Sequence, residues 1–160
     1  MLKVNIICVG KLKEKYLRDA VSEYSKRLGA FCKFSVVETD EEKTNSAPNE
    51  AGIEKILDAE GKRILSKIDR ADHVIAMCIE GKQMSSEKLA DHIEKAGVRG
   101  ESVIDVVIGG SWGLSEEVKR RADMRLSMSE MTFPHQLARV MVCEQLYRAF
   151  SINAGTKYHK

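Results

Sequence analysis

Residues 106–150 read VVIGGSWGLSEEVKRRADMRLSMSEMTFPHQLARVMVCEQLYRAF, and this stretch carries the clearest fold signal in the chain. A buried-type strand runs into the paired glycines Gly109 and Gly110, and a short helix begins at Ser115. A second strand then leads into Met-Thr-Phe-Pro-His-Gln, after which a long amphipathic helix begins near Pro134. Two strand-to-loop transitions this close together are typical of the ligand sites of α/β proteins.

Strand and helix signals alternate along the whole chain. Short apolar runs predict strands, and apolar residues at helical spacing predict the helices that connect them. The predicted strands are Val4–Val9, Phe34–Val37, His73–Ile79, Val103–Ile108 and Met124–Met128. The predicted helices contain the apolar positions of 17–28, 53–68 and 89–96, begin again at 115–117, and run finally from Pro134 to about Asn153. This order predicts an α/β fold with a mainly parallel sheet and helices on both faces.

Local signals indicate where several of these elements begin and end. Gly29 is a favourable residue to close the first helix, and Ser85 or Ser86 suits the N-cap of the third. Gly61 is a weak point inside the second helix. The polar residues 40–50, which include Asn45 and Ser46, predict a loop.

The last helix is apolar on more than one side. A helix with two apolar sides requires two neighbours, and we expect these to be its own sheet and a partner subunit. The residues that form the two sides are Leu137, Val140, Met141, Val142, Cys143, Leu146, Tyr147 and Phe150.

Length and composition favour a single domain spanning residues 1–160. The 160 residues are 43% apolar, and their 26 basic and 24 acidic side chains give a net charge of only +2. Such a balance neither indicates nor excludes a nucleic-acid partner. No signal peptide is visible, and no apolar run approaches the roughly 20 residues needed to cross a bilayer. We therefore expect a cytoplasmic protein without membrane contact.

The cysteines predict neither a metal site nor disulfides. Cys8, Cys32, Cys78 and Cys143 form no Cys-x-x-Cys pair and have no histidines at zinc-like spacing. We expect buried apolar thiols in a reducing compartment, and no bound metal.

The glycine turn at 109–113 excludes two common nucleotide motifs. Its spacing is Gly-Gly-x-x-Gly after the fourth strand, whereas a dinucleotide fingerprint is Gly-x-Gly-x-x-Gly after the first. A phosphate-binding P-loop requires Gly-Lys-Ser/Thr, which is absent. The turn is either a tight connection without a ligand or one wall of a site built from several loops. Ser111 and Ser115 lack the Gly-x-Ser-x-Gly context of a hydrolase nucleophile.

Three loops that follow predicted strands should meet at one edge of a parallel sheet. They are Glu80–Lys82, Gly109–Gly113 and Met128–Phe133. His135 lies in the first turn of the last helix, facing the same region, and Arg139 lies one turn further on the same face.

Six short segments carry a further signal: Val9–Lys13, Glu80–Lys82 with Ser85–Glu87, Ile108–Ser111, Met131–Gln136, Glu144–Ala149 and Tyr158–Lys160. In this order they resemble the RlmH family, the small bacterial SPOUT-class methyltransferases of large-subunit ribosomal RNA. The similarity extends over essentially the whole chain, which a lone glycine turn would not indicate.

The resemblance implies properties that residue patterns cannot give. It implies a trefoil knot in the C-terminal part of the fold, a homodimer, and S-adenosylmethionine as cofactor. It also implies methylation of N3 of pseudouridine 1915 in 23S rRNA on assembled ribosomes. No metal takes part.

The resemblance also implies roles for particular residues. The cofactor contacts would be Met77, Gly109 and the segment Met128, Ser129, Glu130, Met131, Thr132 and Phe133. We further hypothesise that His135, Arg139, Tyr158 and His159 act at or near the target base. Because chain ends are usually disordered, we expect the tail with Tyr158 and His159 to become ordered on RNA binding.

Two other hypotheses compete with the methyltransferase. One is a non-catalytic ribosome-associated factor that kept the fold, and the other is a small-molecule nucleotide-binding enzyme. The intact segment 128–136 and the C-terminal triplet favour the methyltransferase over the first. The missing dinucleotide fingerprint weakens the second.

Overall fold

The computed structural model describes residues 1–44 and 47–160; Asn45 and Ser46, part of the predicted loop 40–50, lie outside the described residues. The strands are β1 (Lys3–Val9), β2 (Lys33–Thr39), β3 (His73–Lys82), β4 (Val103–Ile108) and β5 (Met124–Leu126). The helices are α1 (Lys15–Leu28), α2 (Glu50–Lys67), α3 (Ser86–Val98), α4 (Glu116–Arg121) and α5 (His135–Asn153). Every predicted element is present in the predicted order.

The described strands form one parallel sheet in the order β2-β1-β4-β3-β5. Right-handed crossovers that travel in opposite directions along a sheet place their helices on opposite faces. The connections through α1 and α3 move one way along the order, and those through α2 and α4 move the other way. The predicted α/β class, with helices on both faces, is confirmed. The trefoil knot stays a prediction.

Two apolar cores lie on the two faces of the sheet. One contains buried residues of α1, α3 and α5, among them Val21, Ile93 and Leu146. The other contains residues of α2 and the α4 region, among them Ile64 and Val118. Adjacent strand residues alternate between the two cores, as Ile6 and Ile7 do, because successive side chains of a strand point to opposite faces.

Helix α5 packs between α1 and α3 and contacts β4. Its aromatic residues stack within this layer: the Phe150 and Phe31 ring centroids lie 6.1 Å apart, and those of Tyr147 and Phe31 lie 5.9 Å apart. The expectation of two apolar sides is confirmed. Helices of the same chain cover only part of this surface, because Leu137 is exposed and Val140, Met141 and Tyr147 are half-buried. The expected contact with a partner subunit stays a prediction.

A row of polar side chains crosses the centre of the sheet. Asn5 of β1 donates to Asp105 of β4 at 2.7 Å, and Ser35 of β2 donates to Asn5. The three residues stand side by side in the strand register. Burial raises the pKa of Asp105. Because a one-residue slip would leave the buried side chains of Asn5 and Asp105 without partners, the row helps to fix the register of the three strands.

Local signals were mostly confirmed. Ser85 is the N-cap of α3 and accepts a hydrogen bond from the Lys88 N–H at 3.2 Å. Gly61 is no weak point, because α2 is continuous and a Cβ there would lie 2.5 Å from Ser115 Oγ. The glycine instead permits close packing of α2 against the start of α4.

Within the described ranges, no helix is both long and apolar enough to cross a membrane. All four cysteines are free thiols; Cys78 is half-buried, and the other three are buried as expected.

Candidate functional site

A cavity of about 760 Å³ opens where β3, β4 and β5 end. The three loops that the sequence places at one sheet edge all contribute to its wall. From β3 come residues 77–80, from β4 the glycine turn, and from β5 the segment that follows it. The carboxyl ends of parallel strands are the usual position for a ligand in such sheets.

Seven of the eight predicted cofactor contacts line this cavity. They are Met77, Gly109, Met128, Ser129, Met131, Thr132 and Phe133. Glu130 belongs to the same segment, but its side chain is exposed and does not line the cavity. The structure therefore brings together residues that lie up to 56 positions apart in the sequence.

The glycine turn is held in shape by its own backbone. Gly113 donates its N–H to Gly110 O at 3.1 Å, and Gly113 has a φ of +89°, which favours glycine. A Cβ at Gly109 would overlap the carbonyl of Gly113. Ser115 then caps α4 by accepting from the Val118 N–H at 3.3 Å. The turn is thus a tight connection that also forms one wall of the cavity.

Gly81 shapes the neighbouring wall. A Cβ at this position would lie 2.6 Å from the carbonyl carbon of Leu126, because β3 and β5 cross closely here. Strand β3 is longer than predicted and irregular between Met77 and Lys82, where its pairing to Leu126 shifts register. This bulge turns Met77 and Glu80 towards the cavity.

A second cavity of about 340 Å³ adjoins the first. Both are lined by Met77, Ser127 and Met128. The second cavity extends towards Ser86 of α3 and Gln145 of α5, whose side chains share a 2.6 Å hydrogen bond. Strand β5 ends at Leu126, two residues earlier than predicted, which frees Ser127 and Met128 to separate the two spaces.

His135 lines the larger cavity, half-buried at the first turn of α5. Burial is the largest influence on its pKa and lowers it; Glu41 acts in the opposite sense, and Arg139 and Lys13 add to the lowering. The imidazole is therefore neutral near pH 7 and able to accept a proton.

Arg139 does not reach the cavity. It is 1% exposed, and its guanidinium donates to Glu38 Oε2 at 2.7 Å and to Gly10 O at 3.0 Å. Arg139 thereby ties α5 to the carboxyl ends of β1 and β2. The structure places it among supporting contacts, apart from His135, whereas helical spacing had placed the two together.

The C-terminal tail packs against the same chain. Tyr158 donates to Glu144 Oε2 at 2.7 Å, its ring lies 4.7 Å from that of Tyr147, and the Arg148 guanidinium lies 4.8 Å from it. The hydrogen bond to Glu144 is the main cause that raises the pKa of Tyr158. The expectation of an unstructured tail is wrong, because this pairing and stacking order Tyr158 in the free chain.

His159 is held from two sides. Its Nδ1 lies 3.1 Å from Arg148 Nη1, and its Nε2 lies 2.7 Å from Glu87 Oε1. Arg148 in turn donates to Glu144 at 2.8 Å. Sequence reasoning missed these partners, although the segment Glu144–Ala149 was part of the resemblance. The i, i+4 spacing of Glu144 and Arg148 on α5 does indicate that these two side chains can pair.

Comparison with known proteins supports the family resemblance. The family profile described as predicted SPOUT methyltransferase matches residues 2–159. The ribosomal RNA large subunit methyltransferase H of Streptococcus thermophilus is 54% identical over 159 residues, which cover 99% of this chain and 100% of the relative. The chain belongs to the RlmH family of SPOUT methyltransferases. The protein of the same name from Bifidobacterium adolescentis is 53% identical over 160 residues, with 99% and 100% coverage.

Solved structures agree with the SPOUT fold. A probable methylase family protein of Haemophilus influenzae superposes with a TM-score of 0.55 at 13% identity, covering 99% of this chain and 70% of that one. A tRNA (m1G37) methyltransferase of Aquifex aeolicus gives a TM-score of 0.52 at 15% identity, covering 92% and 69%. At these identities the likeness concerns the fold alone.

Proposed function

We propose that this RlmH-family chain methylates large-subunit ribosomal RNA with S-adenosylmethionine as donor. The observation that carries the proposal is the convergence of seven predicted cofactor contacts, from three separate loops, on one cavity. Relatives that match over their whole length are named ribosomal RNA large subunit methyltransferases.

The residues of the cavity fit the proposed cofactor. Its volume of about 760 Å³ lies within the roughly 300–1,000 Å³ usual for small-molecule sites. Ile108, Met77 and Met128 offer apolar surface for a purine ring, and the crowded backbone at Gly109 lets main-chain groups approach a ligand closely. When bound, S-adenosylmethionine supplies an activated methyl group, so the protein is left with positioning and proton transfer.

The proposed acceptor is N3 of pseudouridine 1915 in 23S rRNA, within assembled ribosomes. An imide nitrogen must lose its proton before it can attack a methyl group. His135 is the neutral base on the cavity wall, and we assign it this proton. Work on assembled ribosomes corresponds to a cytoplasmic protein.

Arg139 enters this proposal in a different role from the one the sequence suggested. Arg139 holds the carboxyl ends of β1 and β2 against α5, one turn after His135. It therefore positions His135, the proposed proton acceptor, and touches no reactant. Tyr158 and His159 keep their proposed role at the target base.

A homodimer would bring the tail residues Tyr158 and His159 close to a His135, which a single chain does not do. Tyr158 and His159 contact Glu144 and Arg148, which follow His135 on α5 by roughly 14–20 Å at the usual helical rise. One chain therefore does not bring its tail to its own His135. We propose that two chains pair so that the tail of one serves the cavity of the other.

Two measurements test the proposal in sequence. Calorimetry of the purified protein with S-adenosylmethionine should show saturable binding, and no binding at millimolar cofactor counts against the assignment. Ribosomes from a strain lacking the gene should then gain one methyl group at the target nucleoside by mass mapping. A protein that binds ribosomes but transfers no methyl group would instead be the non-catalytic factor.

The tail has its own test. Removing Tyr158, His159 and Lys160 should abolish methyl transfer and leave cofactor affinity within about twofold, because none of the three lines the cavity. The Thr156→Ala variant, altered just before the tail, is the matched control and should retain activity. Full activity of the truncated protein would exclude a role for the tail.

A further inference from the structure

A third cavity, of about 260 Å³, lies behind the glycine turn, on the α2 side. Among the described residues, its lining consists of Glu41, Glu42, Lys43, Thr44, Glu60, Ser111 and Trp112. Ser111 and Trp112 also line the cofactor cavity, so the turn separates two spaces. None of the roles proposed above uses this third cavity.

Glu60 is the unusual residue of this cavity. Its side chain is only 3% exposed, and Oε1 has no hydrogen-bond partner among the described residues. Oε2 accepts the Glu42 N–H at 3.0 Å. A buried carboxyl oxygen without a donor is costly, and burial accordingly raises the pKa of Glu60. A donor on a bound ligand would satisfy this oxygen.

The charges around Glu60 favour a positively charged donor. The lining carries three carboxyl groups and one ammonium, that of Lys43. Glu42 is already paired with Arg63 of α2, which leaves Glu41 and Glu60 as the acidic groups that face the space. The anionic backbone of a nucleic acid would meet repulsion here, whereas a cation would meet attraction.

The shape of the cavity limits what kind of cation fits. No three acidic, histidine or cysteine side chains of the described residues are grouped to hold a metal ion. The volume exceeds that of one ion and suits a small organic group. Trp112, about half exposed at 47%, offers an indole face, on which ammonium and guanidinium groups bind favourably.

We propose that this cavity binds the cationic nitrogen of an alkylammonium or guanidinium group, with Glu60 as its charged partner and Trp112 as its aromatic wall. The group has two possible sources: a free polyamine, or a lysine or arginine side chain of another protein. Both present the same chemistry to Glu60.

The chain provides its own reporter for the test. Trp112 is its only tryptophan, so indole fluorescence reports occupancy at this cavity. The full-length protein is titrated with 1,4-diaminobutane, and separately with a short peptide containing one lysine, at constant ionic strength. Uncharged 1,4-butanediol is the ligand control. We expect a saturable change with at least one cation and none with the diol.

Variants connect the signal to Glu60. Glu60→Gln should weaken binding at least about tenfold, the loss expected for a charge-assisted hydrogen bond. Glu54→Gln, on the exposed side of the same helix, is the matched control and should bind as the unaltered protein does. Should Glu60→Gln fail to fold, Glu41→Gln at the exposed rim should still weaken binding several-fold.

The outcomes separate the possibilities. Tighter binding of the diamine identifies a free polyamine, and tighter binding of the peptide identifies a protein side chain. Absence of saturation with both, or equal binding by Glu60→Gln and the unaltered protein, overturns the proposal. The titration is repeated with S-adenosylmethionine at saturation, where the response should persist. Its loss would assign the cavity to the amino group of the cofactor and overturn a separate site.

Discussion

Substituting Arg139 separates a supporting role from a catalytic one. Arg139→Met keeps the length of the aliphatic stem but removes every hydrogen bond of the guanidinium. Glu38 then loses its cationic partner, and Gly10 O loses the donor at 3.0 Å. Both effects lower the free energy of unfolding of the native protein.

The size of the effect follows from the burial of each group. Breaking a buried, hydrogen-bonded ion pair costs about 3–5 kcal/mol. Glu38 is 38% exposed, so its carboxylate is hydrated again in the variant. Nε of Arg139 has no partner among the residues that the structure describes, so its removal relieves about 1 kcal/mol. We expect a net loss of about 2–3 kcal/mol. For a chain of this size that corresponds to a Tm lower by about 4–12 °C.

The assay is urea unfolding followed by circular dichroism at one fixed protein concentration, because dimer formation would make stability depend on concentration. Arg120→Met is the matched control: Arg120 is exposed on α4, and its substitution should change stability by less than about 0.5 kcal/mol. The stability of Arg139→Lys should fall between those of Arg139→Met and Arg120→Met, since one ammonium group can replace only some of the hydrogen bonds of the guanidinium. An Arg139→Met protein that is as stable as the control yet transfers no methyl group would refute the supporting role.

Three further predictions concern other positions. Gly61→Ala should cost about 1–3 kcal/mol in urea unfolding, because its Cβ meets Ser115 Oγ at 2.5 Å; a neutral result would mean that α2 and α4 separate easily. Glu60→Gln should raise Tm more at pH 8 than at pH 4, because the raised pKa of Glu60 favours folding at low pH and that contribution is lost as pH rises through the folded value. His135→Gln should lower kcat/KM by about 10²–10⁴ and abolish the acidic limb of its pH profile. That limb should lie below the ordinary histidine pKa, since burial lowers the pKa of His135; an unchanged limb would assign the base elsewhere.

Part of the site could be predicted from strand order alone. Once the sheet is parallel, every loop that follows a strand lies at one edge, so Met77, Gly109 and Met128 had to approach one another. The exposed Glu130 marks the limit of this reasoning. Topology can assign a segment to a cavity. The direction of each side chain in a loop depends on the local backbone dihedral angles, which the alternation of residues along a strand does not predict.

Helical spacing gave an incomplete description of α5. His135 and Arg139 lie one turn apart, yet one lines the cavity and the other is buried against the ends of β1 and β2. The difference arises because the two side chains meet different strands: His135 faces the cavity at the ends of β3, β4 and β5, whereas Arg139 contacts the ends of β1 and β2. The tail was misjudged for a related reason, since its anchors, Glu87 and Glu144, lie far from it in sequence.

The amino-acid sequence by itself determined the α/β class, the element order, the parallel sheet and the family. Apolar periodicity and spaced motifs depend only on residue types and their spacing along the chain, so they can be recognised without a structure. The tertiary structure alone decided that α5 packs between α1 and α3, that Arg139 supports the fold, and that Glu60 Oε1, near Trp112, has no hydrogen-bond partner among the described residues. These facts depend on which side chains meet across the packed layers. Contacts between residues distant in sequence are set by packing and desolvation, and no local pattern records them.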